Sequence, residues 1–533
     1  MGGGNVFVSK DAFARATPRL WMFCTIYALG SIFFGYDGAS FGGVQAMEPF
    51  LRTFGRWDDD RQKYYLPSGL QSLMNSIPLI GKFMGTVIVG PITERFGHRW
   101  TMVFTCAVQV IGPIIQVTSN TPAQFIVGRY LVYTAVGLIE NVVPTYQTEI
   151  APSALRGFFV GSIQLCLTTG SLIAGIVNNS VSKRENNSGW QIATALQALP
   201  AVIILCLVFF TPNSPRWLIT KDRHEEAHKA LRSIRPSQDS DSGALDAEIA
   251  VMRETQGHGK EKGAWKDLLN KSNRSRTIIA CTALIFQQLT GVTFSSSYGP
   301  TFYRSVGLSD MAFIYALVNN AASVVTALMA MILLDLLGRR PLLIHGGWTQ
   351  GVFLFSVAAL GQINNPSINE SHGIVAGMIL YNAILHMTFG PGAYITAAEI
   401  GTQALREKTM AVATALNVVA GFIVVFCTPY LLAEMGSQIG YIWGAFAVLS
   451  SIWAWFFLPE LKVRTCDKRV SMFVLMIDMN AQGQSLEQID HLFSVKLPAW
   501  RTANYEMNDF TAEDGGKALD GKVRTSVEHV DTV

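Results

Sequence analysis

The sequence predicts an all-α membrane protein in which twelve transmembrane helices form two pseudo-symmetric six-helix bundles. Three observations predict this fold: an apolar composition, about twelve runs long enough to cross a bilayer, and two motifs that occur once in each half of the chain. Of the 533 residues, 50% are hydrophobic and 15% are charged, whereas an average soluble protein has about 25% charged residues. This amount of charge cannot cover several soluble domains, so much of the surface must face lipid.

The apolar runs supply the membrane spans. A helix needs about 20 apolar residues to cross the hydrocarbon core of a bilayer. The centres of the runs lie near Phe33, Ile80, Val108, Ala135, Thr168, Ile203, Leu289, Val325, Val357, Leu385, Ala420 and Trp453. The first run lacks a small-residue cleavage site, so we predict a retained span rather than a signal peptide.

The charges of the loops predict the orientation in the membrane. Arginines follow spans 2, 4, 8 and 10, whereas the loops after spans 3, 9 and 11 contain no Lys or Arg. Because basic loops stay on the cytoplasmic side, both termini and the long middle loop are predicted to be cytoplasmic.

Two motifs repeat between the halves of the chain. The sequence EIAPSALR at 149–156, after span 4, recurs as EIGTQALR at 399–406, after span 10, at an offset of 250 positions. The sequence ERFGHR at 94–99, after span 2, recurs as DLLGRR at 335–340, after span 8, at an offset of 241 positions. Motifs at matching places and similar offsets indicate a duplicated six-helix unit.

The duplication and the one long polar interval divide the chain into five parts. These are a cytoplasmic N-tail at 1–19, an N-terminal six-helix bundle at 20–211, a cytoplasmic middle loop with short helices at 212–276, a C-terminal six-helix bundle at 277–458 and a cytoplasmic C-tail at 459–533.

Further motifs lie within the spans or just after them. They are FGYD at 34–37, Gly128-Arg129, PNSPRWL at 212–218, QQLTG at 287–291, GRRP at 338–341 and Pro459-Glu460. As a set they resemble the motifs of the major facilitator superfamily and, within it, those of the sugar porter family, most closely its fungal members. The resemblance implies a secondary active transporter of the plasma membrane, not an enzyme, with a site between the bundles that is exposed alternately to each side.

Acidic and basic residues recur at the predicted cytoplasmic ends of spans in both halves. The resemblance implies that they form a cytoplasmic latch of charge-assisted pairs, made in one conformation and broken in the other. The latch residues are Glu94, Arg95, Arg99, Glu149, Arg156, Asp335, Arg339, Arg340, Glu399 and Arg406. The alternative is that these arginines only anchor the topology.

Asp37 in span 1 and Arg129 in span 4 are ionisable groups inside apolar spans, which marks them as functional candidates. In proton-coupled sugar porters the matching aspartate pairs with the arginine when ionised and releases it when protonated. The resemblance therefore implies proton symport, with the proton as the coupling ion and no other cofactor. Facilitated diffusion with a static buried pair is the alternative.

A site for a neutral, hydroxyl-rich ligand needs amides and aromatic faces rather than charge. The family's sugar-contacting positions correspond here to Gln164, Gln287, Gln288, Thr293, Tyr394 and Asn417. Thr293 and Tyr394 replace the usual asparagine and tryptophan, and Ser171 and Ser323 replace amides. These changes, with the hydroxyl-rich strip at 295–297, predict a wider pocket. The alternative is that each hydroxyl bonds back to its own helix.

Two further ionisable residues fit no pattern of the family. Glu140 in span 4 and His386 in span 10 both lie in apolar surroundings. They are candidates to tune proton coupling or to meet a polar group of the substrate. The alternatives are that they face a water-filled cavity or each other.

Several other site types are not expected. The HExxH pattern at 224–228 lies in the charged middle loop without an evident third ligand, so we predict a solvated helix and no metal site. The net charge of +3 and the absence of a long basic run exclude nucleic acid as the expected partner. The expected partners are a small-molecule sugar or polyol and the lipid bilayer, and we expect the protein to function as a monomer.

The expected cargo is a hexose, a pentose or a small oligosaccharide. The alternatives are a sugar sensor with little flux, or a facilitator or exporter of a polyol, a sugar acid or another hydroxylated metabolite.

One departure from the family lies in the tail, where residues 463–482 separate Pro459-Glu460 from the segment GQSLEQID at 483–490. We interpret residues 463–482 as a short unspliced intron, and a genuine insertion is the alternative.

Overall fold

The computed structural model describes residues 16–59, 62–152, 155–236, 245–246, 248–250, 252, 264–270, 273–308, 311–363, 367–402 and 405–460. Most of the predicted N-tail, the segment 463–482 and the rest of the C-tail beyond Glu460 lie outside these residues, as do the side chains of Arg156 and Asp335.

Twelve membrane spans are present in the described chain. Ten helical segments are long and apolar enough to cross a membrane, and two of them, Ser68–Val117 and Lys408–Phe457, contain 50 residues. A helix of that length would extend about 75 Å at about 1.5 Å per residue, more than twice the thickness of a hydrocarbon core of about 30 Å. Each long segment therefore holds two spans, which confirms the predicted twelve.

The two long segments turn at glycines. Gly97 in the first segment has φ 81° and ψ 166°, a conformation that side-chain-bearing residues rarely adopt. The second segment is broken by the short 3₁₀ helix Gly436–Gln438, where Gly436 also has a positive φ of 53°. Gly338, which joins spans 8 and 9, repeats the conformation of Gly97 with φ 88° and ψ 170°.

The spans of the N-terminal half precede the middle loop. Spans 1 to 6 are Pro18–Val44, the two arms of Ser68–Val117 on either side of Gly97, Pro122–Ile150, Arg156–Val181 and Ser188–Phe210. Between spans 1 and 2 lie a helix, Glu48–Phe54, and an antiparallel pair of strands, β1 (Arg56–Asp58) and β2 (Lys63–Tyr65).

The spans of the C-terminal half follow the middle loop, whose short helices are Pro215–Thr220, His224–Ile234 and Trp265–Leu269. Span 7 consists of Arg274–Leu289 and Val292–Ser305, and span 10 consists of Ile368–Met387 and Phe389–Ile400. Spans 8, 9, 11 and 12 are Ala312–Leu337, Arg339–Leu360, Arg406–Met435 and Ile439–Phe457.

Local signals explain where several spans begin. Thr17 precedes span 1, its hydroxyl accepts from the Leu20 amide, and Pro18 occupies the first helical position. Ser367 and Glu370 form a capping box at the start of span 10, where Glu370 accepts from the Ser367 amide at 2.6 Å. These caps satisfy amide groups that the first turn of a helix leaves without partners.

Small residues bring the spans of the N-terminal half into close contact. Gly137 in span 4 has no room for a Cβ because the backbone of Lys82 in span 2 occupies that space. Gly81 and Gly85 in span 2 meet the backbone of span 4 in the same way. Such close approach is typical of helix packing in membranes, and here it holds Lys82 against span 4.

Hydrogen bonds join the two halves far from the Gly97 and Gly338 turns. The Gln45 side chain donates to the Ser297 carbonyl, and the Arg304 guanidinium donates to the Ala46 carbonyl. The Ser72 hydroxyl donates to the Phe426 carbonyl at 2.6 Å. Since the two glycine turns lie at the predicted cytoplasmic end, these bonds close the halves together at the opposite end.

Candidate transport site

Asp37 and Arg129 are both buried within the N-terminal half, each with 1% of its surface exposed. Arg129 donates from Nε to the Met74 carbonyl at 3.0 Å, and its guanidinium lies 3.8 Å from the centre of the Phe41 ring. Neither carboxylate oxygen of Asp37 has a hydrogen-bond partner in the described chain. Phe41 lies one helical turn beyond Asp37 on the same face of span 1, so Arg129 is near Asp37, but no direct ion pair joins them in this conformation.

Asn417 in span 11 is the centre of an amide cluster in the C-terminal half. Its Nδ2 donates to the Leu284 carbonyl at 2.7 Å and to Gln287 Oε1 at 3.0 Å. Its Oδ1 accepts from Gln288 Nε2 at 3.1 Å and from the Tyr394 hydroxyl at 3.5 Å. The structure therefore brings together four of the six residues predicted to contact the sugar, from spans 7, 10 and 11.

Gln287 connects this cluster to the break in span 10. The two helices of the span are separated at Thr388, which has the non-helical angles φ −121° and ψ −82°. Gln287 Nε2 donates to the Gly390 carbonyl at 2.7 Å and to the Phe389 carbonyl at 3.3 Å. Backbone that leaves the helical pattern at membrane depth requires such partners, so Gln287 has a structural role besides the predicted one.

Other polar atoms near the cluster remain available for a ligand. Gln288 Oε1, Thr293 Oγ1 and His386 Nδ1 are buried, and none has a hydrogen-bond partner among the residues that the structure describes. Gln164 in span 5 is half-buried, and no hydrogen bond of its side chain is present in the same part of the chain. Buried polar groups usually have partners, so these atoms suit a bound hydroxylated molecule or water.

The hydroxyls of the two serines that were expected to widen the pocket already donate hydrogen bonds to backbone carbonyls. The Ser171 hydroxyl donates to the Gly35 carbonyl at 3.0 Å, and the Ser323 hydroxyl donates to the Asn319 carbonyl at 2.9 Å. The alternative interpretation, a hydroxyl bonded to its own helix, therefore describes Ser323, whereas Ser171 bonds to span 1 and lies 3.3 Å from the Leu167 carbonyl of its own helix. Ser295 and Ser296 of the hydroxyl-rich strip line a cavity between spans 1, 5, 7 and 8.

Glu140 has a partner that the sequence did not reveal. Lys82 Nζ lies 2.7 Å from Glu140 Oε1 and 5.0 Å from the centre of the Phe34 ring. The presence of Lys82 inside the apolar run of span 2 indicates a buried partner of opposite charge, but the sequence could not show which helix Lys82 faces. Within the described chain no ion pair joins Glu140 to His386.

Three latch residues of the C-terminal half, Arg339, Arg340 and Glu399, connect neighbouring spans. Arg339 makes two hydrogen bonds with the Glu399 carboxylate, from Nε at 3.1 Å and from Nη2 at 2.9 Å. The Arg339 amide also donates to Glu460 Oε1 at 3.3 Å. Arg340 donates to the Trp455 carbonyl at 2.9 Å. These contacts tie span 9 to spans 10 and 12.

The N-terminal half uses a different side chain at the same place. His98 Nε2 lies 3.7 Å from Glu149 Oε2, whereas Arg99 stands 5.4 Å from the Phe209 ring. His98 was not among the predicted latch residues, although the repeat aligns it with Arg339. The Arg99 amide donates to Asn213 Oδ1 at 3.1 Å.

The remaining predicted latch residues are more peripheral. Glu94 and Arg95 are exposed, and the Glu94 carbonyl accepts from the Trp217 indole at 3.0 Å. Arg406 is exposed, and its Nε donates to the Ala398 carbonyl at 2.7 Å. No contact of these three side chains crosses between the halves among the described residues.

The HExxH residues form the start of the short helix His224–Ile234. His224 lies 3.9 Å from Asp222, and His228 lies 3.4 Å from Asp246. No group of three or more His, Cys, Asp or Glu side chains that could hold a metal ion is present in the part of the chain that the structure describes.

Comparisons with known proteins agree with this architecture. A family model described as sugar (and other) transporter matches residues 23–473. The high-affinity glucose transporter ght2 of Schizosaccharomyces pombe is 29% identical over 485 residues, which cover 89% of this chain and 87% of that protein. Sugar transport protein MST4 of Oryza sativa subsp. japonica is 30% identical over 480 residues, which cover 86% of this chain and 92% of that protein.

A solved transporter has the same fold. The xylose transporter XylE from E. coli, in a partially occluded inward open conformation, matches with a TM-score of 0.69 at 22% identity. The match covers 85% of this chain and 100% of XylE. Since the family model spans most of the chain and the relatives are transporters rather than enzymes, this multi-pass membrane protein belongs to the sugar transporter family of the major facilitator superfamily.

Proposed function

We propose that this chain moves a neutral sugar across the plasma membrane together with a proton, with both termini in the cytoplasm. The family supports sugar as the class of cargo, and relatives named as glucose transporters support a hexose as the first ligand to test. The single observation that carries the coupled mechanism is the buried Asp37 carboxyl group, which lies near Arg129 without a hydrogen-bond partner in the described chain.

The proton acts through Asp37. Burial of a carboxylate without a donor costs more free energy than burial of a neutral carboxylic acid. The conformation described above therefore suits Asp37 with its proton bound. When the proton leaves, the charged carboxylate gains most by approaching the Arg129 guanidinium, which must then leave the Met74 carbonyl and the Phe41 ring.

The sugar binds beside the amide cluster. Gln288 Oε1 accepts from a sugar hydroxyl, Thr293 Oγ1 can either donate or accept, and the Tyr394 hydroxyl, which donates to Asn417, can accept. Asn417 and Gln287 hold these groups in place because their own polar atoms are already bonded to each other and to helix backbone. The site therefore offers a few fixed polar groups in an otherwise apolar cavity, as small-molecule sites usually do.

Alternating access follows from contacts at opposite ends of the spans. The bonds from Gln45 and Arg304 hold the predicted outer ends of the halves together, so the outer side is closed in this conformation. Release of the outer bonds, with closure at the end that holds the cytoplasmic latch, would give the outward-open conformation. The site lies between the halves and is reached from each side in turn.

Uptake of labelled sugars by cells that lack their own sugar carriers tests this function. We expect the chain to accumulate at least one hexose, pentose or small oligosaccharide, and a protonophore to abolish accumulation. Asp37→Asn should retain exchange of sugar between the two sides but lose accumulation. Undiminished accumulation by Asp37→Asn, at equal surface expression, would refute the role of Asp37.

The same assay separates the alternatives. A facilitator would equilibrate sugar regardless of the protonophore, and an exporter would lower the level of preloaded cargo. A sensor would bind sugar without appreciable flux. Absence of uptake and exchange of every sugar in the panel, with the protein present at the cell surface, would overturn the proposed transport.

A further inference from the structure

Lys82 and Glu140 lie on the surface where the two halves meet. Tyr133 in span 4 packs in a cluster with Leu79 of span 2 and with Val418 of span 11, which belongs to the other half. Glu140 is seven residues, or two helical turns, beyond Tyr133, so it projects from the same face of span 4. Lys82 follows Leu79 by three residues and shares the corresponding face of span 2.

The ion pair leaves part of Glu140 accessible. The Glu140 side chain is 21% exposed and the Lys82 side chain 11%. Lys82 Nζ contacts Glu140 Oε1 at 2.7 Å, whereas Glu140 Oε2 makes no hydrogen bond in the described chain. Oε2 is not fully buried either. One carboxylate oxygen of Glu140 is therefore accessible to a ligand or to water.

Glu140 faces the predicted sugar site from the opposite half. Span 4 meets span 11 at Tyr133 and Val418, and Val418 follows Asn417, whose side chain accepts from the Tyr394 hydroxyl at 3.5 Å. A ligand bound beside Tyr394 and Gln288 would therefore lie between the amide cluster and Glu140. Lys82 lies beside Glu140 on the same side of this space, with its ammonium group over the Phe34 ring of span 1.

The chemistry of the pair selects for a class of ligand. An ionised carboxylate only accepts hydrogen bonds, and its bonds to hydroxyl donors are stronger than those between neutral groups. Lys82 balances its charge, so a neutral ligand meets no net field from the pair. An anionic ligand instead meets the accessible oxygen of Glu140, since Lys82 is the more buried partner.

We propose that Glu140 contacts the substrate, accepts hydrogen bonds from the hydroxyls of a neutral sugar or polyol, and excludes sugar acids by its charge. This inference rests on the proposed transport of sugars and names the determinant of its selectivity. It assigns to Lys82 the role of a positioning residue that holds the Glu140 carboxylate directed across the gap.

Competition between a neutral sugar and its matched acid tests this role. In the unaltered protein we expect unlabelled glucose to displace a labelled hexose and glucuronate to have no effect. Glu140→Gln should raise the KM for the sugar about tenfold, since it loses a hydrogen bond to a charged acceptor. The same variant leaves Lys82 without its counter-ion, so glucuronate should now compete.

The double variant Lys82→Gln/Glu140→Gln is the matched control. It keeps the weaker sugar binding but removes the uncompensated positive charge, so competition by glucuronate should disappear again. If the ion pair only stabilised the fold, the preference for glucose over glucuronate would not depend on whether Lys82 remains as an unpaired positive charge. Unchanged KM and continued exclusion of glucuronate in Glu140→Gln would overturn the inference, as would competition by glucuronate in the unaltered protein.

Binding to the purified full-length protein separates this inference from the proposed transport. Glucose should raise the unfolding temperature of the unaltered protein, and glucuronate should do so only in Glu140→Gln. If glucose stabilises the protein but no sugar is moved in cells, the proposed transport fails while the role of Glu140 stands. If sugar is moved but Glu140→Gln shows no change in ligand response, only the role of Glu140 fails.

Discussion

His98 in the N-terminal half occupies the place that Arg339 occupies in the C-terminal half. Each follows a glycine of the same backbone conformation, Gly97 or Gly338, and each faces a glutamate at the end of a neighbouring span. Arg339 makes two hydrogen bonds to Glu399, at 2.9 and 3.1 Å, whereas His98 lies 3.7 Å from Glu149. The duplicated motif is therefore a strong charged pair in one half and a looser contact in the other.

This difference predicts unequal effects of matched substitutions. Arg339→Gln removes two charge-assisted hydrogen bonds to the Glu399 carboxylate, which should cost about 2 kcal/mol. His98→Gln should cost less, because a separation of 3.7 Å is not a hydrogen bond. Thermal unfolding of the two purified variants measures the difference. Equal losses of stability would show that the two halves are equivalent at this position.

Substitution of Thr293 should affect ligand binding but not the stability of the ligand-free protein. Its hydroxyl is buried without a partner in the described chain, so Thr293→Val should leave the ligand-free protein as stable as before or more stable. The same change should weaken sugar binding about fivefold, since the ligand loses one hydrogen bond. Unfolding temperature and KM for the sugar are the two measurements.

Thr282→Val is a suitable control for Thr293→Val. The Thr282 hydroxyl donates to the Ile278 carbonyl of its own helix at 2.7 Å, and this hydrogen bond is exposed. Its loss should not alter the KM. A KM that is unchanged in Thr293→Val would place this hydroxyl outside the site.

The hydrogen bond of Arg304 should help to keep the outer ends of the two halves closed. Its guanidinium donates to the Ala46 carbonyl across the boundary between the halves, so Arg304→Gln should weaken the closure and favour the outward-open conformation. Ala39 lines the cavity that lies between spans of the two halves. Ala39→Cys should therefore react faster with a membrane-impermeant maleimide in the Arg304→Gln background than alone. Equal labelling rates in the two backgrounds would contradict this role of Arg304.

The twelve spans and the duplication could be predicted from sequence because they depend on local properties. Apolar length sets the number of spans, and the repeated loop motifs reveal the duplication without any knowledge of packing. The second long helical segment illustrates this, since its 50 residues must be divided whatever their neighbours are. The position of Gly97 in its motif likewise marks the turn between spans 2 and 3.

The partners within the site could not be predicted in the same way. Lys82 meets Glu140 because spans 2 and 4 approach closely at Gly137, and this distance depends on the packing of both helices. Ser323 was expected to widen the pocket, but it bonds to the Asn319 carbonyl and accepts from Asn382. The role of His98 was available from the repeat, because the offset of 241 positions aligns it with Arg339.

Proton movement during sugar uptake tests most directly whether Asp37 couples the two fluxes. When sugar is added to a weakly buffered suspension of cells that express the unaltered protein, we expect the external medium to become more alkaline as sugar enters. Asp37→Asn should abolish this pH change while exchange of labelled sugar continues. Entry of sugar without any change in external pH in the unaltered protein, or a pH change that persists in Asp37→Asn, would contradict proton coupling at Asp37.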